Sequence, residues 1–91
     1  MLYAQSNEQR IIGTWTDQSN NTWVFNSNGS FSIRGGSNDS GVYRVIGSKI
    51  ALGQQGEQYA LVFDITISTD ARTIILSGGP MGIGYFLTRN N

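Results

Sequence analysis

The sequence predicts an all-β chain that closes into one small antiparallel up-and-down barrel of about eight strands. Three observations lead there. Short apolar stretches alternate with period two, and Gly, Asn and Ser crowd the gaps between them. No window sustains the i, i+3, i+4, i+7 apolar spacing of an amphipathic helix. At 91 residues there is room for one core only, and closure removes the exposed edges that an open sheet would leave.

The elements follow in order. Residues 1–9 are expected to form a disordered N-terminal segment. Ala4 followed by polar Gln5-Ser6-Asn7-Glu8 resembles the end of a secretory signal, and an ordinary unstructured terminus reads equally well. The barrel domain is expected over residues 10–91. Its first strand, 10–16, puts Ile11, Gly13 and Trp15 on one face. The second, 21–26, points Trp23 and Phe25 one way, and Asn26-Ser27-Asn28-Gly29 makes a tight turn. The third, 30–34, alternates Phe31 and Ile33 with Ser30, Ser32 and Arg34, and 35–40 read as a longer loop.

Tyr43 and Val45 share a face of the fourth strand, 41–46, as do Ile50 and Leu52 in the fifth, 49–52. The sixth, 57–68, is the longest, with Tyr59, Leu61, Phe63, Ile65 and Ile67 against Ala60, Val62, Asp64 and Thr66. The seventh, 72–77, turns Ile74 and Leu76 inward. After the Gly78-Gly79-Pro80-Met81-Gly82 loop, the eighth, 83–89, sets Tyr85, Leu87 and Arg89 opposite Phe86 and Thr88. A two-sheet sandwich is the alternative, but strands this short and this regularly linked favour the barrel.

Composition narrows the function. Six basic residues balance six acidic ones and only 13% of the chain is charged, so the basic field that nucleic acid or an anionic membrane requires is missing. No apolar run is long enough for a membrane helix. With no His and no Cys, zinc and thiolate sites, Ser-His or Cys-His nucleophiles and disulfides drop out, and neither a metal nor a cofactor is expected. Carboxylate catalysis needs two acids converging in one cleft. Asp64 faces outward by parity, Glu57 stands apart, and Asp17, Asp39 and Asp70 sit where Asp commonly serves turn geometry. The expectation is a protein that binds and does not catalyse.

Gly13-Thr14-Trp15 at the start of the first strand resembles the lipocalin signature. Trp23-x-Phe25, Asn28-Gly29-x-Phe31, Gly41-x-Tyr43-x-Val45-x-Gly47 and Lys49-Ile50-x-Leu52 are similar in rhythm to small bacterial lipocalin-like domains of the calycin type. The resemblance runs from Ile11 to Arg89. It implies a barrel floor in which Arg89 lies over the Trp15 indole, with Gly13 beside them. Against classical lipocalins the chain is about half as long, and it carries neither their outer helix pattern nor disulfides. Avidin-type barrels also begin near Gly-Thr-Trp, but their later Trp residues have no counterpart here.

The resemblance and the aromatic strand faces together give a candidate site at the barrel mouth. Trp23, Phe31, Tyr43, Tyr59 and Tyr85 are the proposed lining for a small apolar or amphipathic ligand. An eight-stranded barrel encloses only enough space for side chains or one small ligand. The competing reading is therefore a solid aromatic core on a protein-interaction or inhibitor-like scaffold. Outward Val42, Val62 and Ile75 could support a weak homodimer. An extracytoplasmic setting, periplasmic or secreted, completes the expectation.

Overall fold

The structure, a computed structural model, describes residues 6–36, 38–54, 59–79, 82 and 84–90. One helical turn, α1 (Asn7–Arg10), precedes eight strands: β1 (Gly13–Asp17), β2 (Thr22–Phe25), β3 (Ser30–Arg34), β4 (Asp39–Ile46), β5 (Lys49–Gly53), β6 (Tyr59–Ile67), β7 (Thr73–Ser77) and β8 (Tyr85–Arg89). Each strand pairs antiparallel with the next, and β8 returns to β1 through Trp15↔Arg89, Thr16↔Thr88 and Asp17↔Leu87. The sheet is a closed barrel in sequence order. This is the architecture expected from the alternation, and its closure leaves no unpaired edge among the eight strands.

Period-two burial runs through the barrel as the side-chain parity demands. Trp15, Trp23, Phe25, Phe31, Tyr43, Val45, Ile50, Leu52, Phe63, Ile65, Ile74, Leu76 and Leu87 form the interior, with Ile11 beneath them. The up-and-down order gives the barrel two distinct ends. One holds α1, the 26–29, 47–48 and 68–72 turns and Asn90; it is called the floor. The other holds the 18–21 turn, the ends of β3, β5 and β7 and the starts of β4, β6 and β8, and is called the mouth.

Most strand ends shift by a residue or two from the sequence expectation, and two differences bear on the ends of the barrel. Residues 7–9, expected to be disordered, belong to α1, and the expected strand from residue 10 begins at Gly13 instead. The cause is local: Ser6 and Gln9 form a capping box, the Ser6 hydroxyl accepting from the Gln9 N–H and the Gln9 side chain accepting from the Ser6 N–H. The spacing Ser-x-x-Gln was legible, but four residues are too few for an apolar period. The helix is then latched to the barrel. The Asn7 amide donates to the Gly47 carbonyl at 2.9 Å and the Arg10 guanidinium to that of Ser68. The second difference is at β4, which starts at Asp39 and not at Gly41. That extension places Asp39 opposite Ile33, on the interior side of the sheet.

Candidate functional site

The floor is built around Trp15. Its indole is fully buried, and its Nε1–H donates to the Ile11 carbonyl at 2.9 Å. The Arg89 guanidinium carbon stands 4.1 Å from the ring centroid, within cation–π range. Its nitrogens donate to three main-chain carbonyls: Ala71 at 2.7 Å, Ile12 at 3.0 Å and Arg10 at 2.5 Å. One side chain thus ties the 68–72 turn, the end of α1 and the start of β1 together. Gly13 makes this possible. A Cβ there would lie 2.5 Å from the Arg89 Nη1, and the residue sits at φ +137°. The expected floor of Gly13, Trp15 and Arg89 is therefore one interlocked unit. Burial, then the neighbouring Arg72, pulls the Arg89 pKa down from its usual value.

The mouth is organised differently. Trp23 is buried, and its Nε1–H donates to the Asp17 carboxylate at 2.9 Å. Asp17 also accepts from the Ser19 and Asn21 main-chain N–H groups and from the Asn21 side chain. Burial alone would raise the Asp17 pKa; the bonds from Trp23, Asn21 and Ser19 outweigh it and hold the carboxyl below its ordinary value. Asp17 does serve turn geometry, as its position in the sequence implied. It serves Trp23 as well, and it is the one buried charged residue among those described.

Above Trp23 lies a cavity of about 240 Å³ lined by Trp23, Phe31, Ile33, Asp39, Ser40, Leu52, Gly53, Gln54, Leu61, Phe63 and Tyr85. The lining is mainly apolar, with Asp39, Ser40 and Gln54 as its polar members. Rings stack edge-on along one wall: Trp23 to Tyr85 at 4.9 Å and Tyr85 to Phe63 at 5.9 Å between centroids. A register shift at Leu52/Gly53 brings the Gly53 backbone over the inner face of β4. Only a glycine at 41 leaves room for it, since a Cβ there would meet the Gly53 carbonyl at 2.1 Å.

Of the five expected lining residues, the structure brings Trp23, Phe31 and Tyr85 together around this cavity. Tyr43 is not among its walls. Its hydroxyl donates to the Asn26 carbonyl at 2.8 Å and its ring packs edge-on against Phe25, toward the floor. β4 runs from mouth to floor, so Tyr43 stands past the strand's midpoint, and strand parity alone did not reveal that depth. Tyr43 borders a separate recess beside α1, with Glu8, Gln9 and Ser27. Burial, then the Glu8 charge, raises its pKa. The Tyr59 side chain, Glu57 and Pro80-Met81 lie outside the described residues.

Ile33, Leu61 and Asp39 were missed as lining residues. The first two were legible as inner-face positions at the mouth ends of β3 and β6. Asp39 was assigned to a loop, and only the β3–β4 register, which sets it opposite Ile33, brings it to the cavity rim, where it stays exposed and also borders a recess shared with Arg34.

Other sequence assignments have definite places. Asp64 is exposed and pairs with Lys49 at 2.5 Å. On the outer face Ile75 and Phe86 are cross-strand partners, 44% and 49% exposed; Val62 is exposed and Val42 half-buried. Among the described residues no cluster of acidic side chains could hold a metal ion, and no helix is long and apolar enough to cross a membrane. Comparison with protein-family models, curated proteins and solved structures finds no match to this chain.

Proposed function

We propose that this barrel is a small, non-catalytic, lipocalin-like binding protein that takes one small apolar or amphipathic molecule at its mouth. The cavity ringed by Trp23, Phe31, Phe63 and Tyr85 carries the reading. Its volume of about 240 Å³ lies just below the roughly 300–1,000 Å³ of drug-sized ligand pockets. It suits a single aromatic ring or short alkyl chain, and excludes a long acyl chain. The floor agrees with that limit, because Trp15, Phe25 and Leu87 fill the barrel below. The same cavity weighs against a wholly solid scaffold. The Gly13–Trp15–Arg89 interlock supports the lipocalin-like assignment, since it couples the three positions that the resemblance singles out.

The two indole N–H groups test the proposal directly. Trp23 lines the cavity and Trp15 lies at the floor, so they act as probe and internal control. In ¹H–¹⁵N spectra, titration with a single-ring apolar probe such as indole should move the Trp23 Nε1 resonance saturably. Trp15 should stay in place. Equal movement of both, or of neither at millimolar probe, would reject a mouth site.

A further inference from the structure

We infer that the mouth cavity selects a cationic amphiphile: a small aryl- or alkyl-amine whose apolar body enters the cavity and whose ammonium group meets Asp39. This inference rests on the binding role proposed above and names its ligand class. The first support is register. Asp39 pairs with Ile33 and follows the same parity as Tyr43 and Val45, so its side chain rises on the inner face at the cavity rim. No hydrogen bond or ion pair engages its carboxylate within the described residues.

The second support is the distribution of charge between the ends. Inward-facing charges number three among the described residues: Arg89 at the floor, and Asp17 and Asp39 at the mouth. Asp17 is bonded only to neutral donors, so its negative charge is not cancelled by a cation. The cavity lining contains no Lys or Arg. Arg34, at the mouth end of β3, pairs with Thr22 on the outer face and is exposed. Among the described residues of the connections at this end, 18–21, 35, 36, 38, 54, 78, 79, 82 and 84, none is charged.

The bases Arg10, Arg44, Lys49, Arg72 and Arg89 lie instead toward the floor end, where they outnumber the acids Glu8, Asp64 and Asp70. A protein of zero net charge is thereby polarised, with a negative mouth that draws cations and repels carboxylates. Trp23, Phe31 and Tyr85 line the same cavity, and an aromatic ring within about 6 Å of an ammonium group adds cation–π attraction. A fatty-acid-like headgroup entering the cavity would meet the like charge of Asp39, the exposed Arg34 lying in a neighbouring recess on the other side of it.

Three probes with one phenyl body and different heads separate the possibilities: phenethylamine, phenethyl alcohol and 3-phenylpropanoate, titrated at pH 7 while following the Trp23 indole signal. The amine should bind about fivefold more tightly than the alcohol, the range of a partly exposed ion pair, and the carboxylate more weakly than either. Asp39→Asn should bring the amine-to-alcohol ratio to about one, with circular dichroism confirming the fold, and added salt should shrink the ratio in the wild type. If the carboxylate binds as well as the amine, or Asp39→Asn leaves the ratio intact, the cation inference is overturned and the mouth site stands. If no probe moves Trp23, both fall.

Discussion

Floor and mouth use the same ingredients, a buried indole with its N–H bonded and a charged side chain beside it, to opposite ends. At the floor the charge is Arg89. It stacks on Trp15, its donors go to three main-chain carbonyls, and Gly13 removes the last obstacle to contact. At the mouth the charge is Asp17, and it touches Trp23 only through the indole nitrogen. The buried ring forms part of the cavity wall, packed edge-on with Tyr85. A cation over the ring closes the barrel; an anion at the ring's edge holds it in place in the cavity wall. The difference follows from chemistry: a guanidinium is planar, weakly hydrated and rich in donors, whereas a carboxylate only accepts and gains nothing from the negative face of a ring.

Breaking the floor should have the largest effect. Trp15→Ala removes a fully buried indole, and large aromatic deletions of this kind cost about 3–5 kcal/mol. So small a domain has little more than that to lose. Urea titration followed by circular dichroism should show the variant largely unfolded at 25 °C. A loss below about 1 kcal/mol would show that the floor is not the barrel's keystone.

Arg89→Lys tests the interlock itself. Lysine keeps the charge but cannot serve three carbonyls or lie flat on the ring, so the cost should be about 2–3 kcal/mol. Gly13→Ala should cost about 1–3 kcal/mol, part from φ +137° and part from the 2.5 Å approach to the guanidinium. In the Arg89→Lys background the steric part should disappear. A double-mutant cycle by denaturant unfolding should therefore give a coupling of roughly 1 kcal/mol; strict additivity would mean that Gly13 is needed for its backbone conformation alone.

The floor was the more legible end in the sequence. Gly13, Trp15 and Arg89 were singled out by the resemblance of Gly13-Thr14-Trp15 to the lipocalin signature, and β1–β8 pairing joins them once the barrel closes. The eight strands were legible because alternation decides which face is buried. The mouth was less so. Trp23, Phe31 and Tyr85 were found as inner aromatics, but parity gives the face and not the depth, and Tyr43 has the right parity near the wrong end. Asp39 was hidden by composition: in Gly-Gly-Ser-Asn-Asp-Ser the turn residues outnumber any strand signal, and cross-strand pairing to Ile33 overrides the local preference. The helix α1 was hidden by its length, its capping box being visible without an apolar period to support it.

At the mouth, Asp17→Asn should cost about 1–2 kcal/mol at pH 7, because an amide cannot accept all four of the present bonds. The effect should depend on pH with a definite sign. The Asp17 pKa is lowered in the folded protein, so its stabilisation is complete above the unfolded carboxylate value of about 3.9. It is lost as pH falls through the lower folded value. Wild type and variant should therefore keep a constant gap in stability above about pH 5, and the gap should close as pH falls through the lowered Asp17 pKa. Parallel curves from pH 2 to 7 would mean that the carboxylate charge contributes nothing at this position.

The smallest effect on stability is expected at Asp39, and its smallness sharpens the contrast between the ends. Asp39 is exposed, accepts no hydrogen bond from the described residues and shares the mouth with the uncancelled charge of Asp17. Removing its charge costs no partner and relieves a like-charge repulsion that solvent weakens. Asp39→Asn should thus change stability by no more than about 0.5 kcal/mol, with a slight gain at low ionic strength that salt abolishes. Thermal unfolding at two salt concentrations reads this directly. A loss above 1 kcal/mol would give Asp39 a structural bond to hold, and the mouth would then be a second closed end with no carboxylate left for an incoming cation.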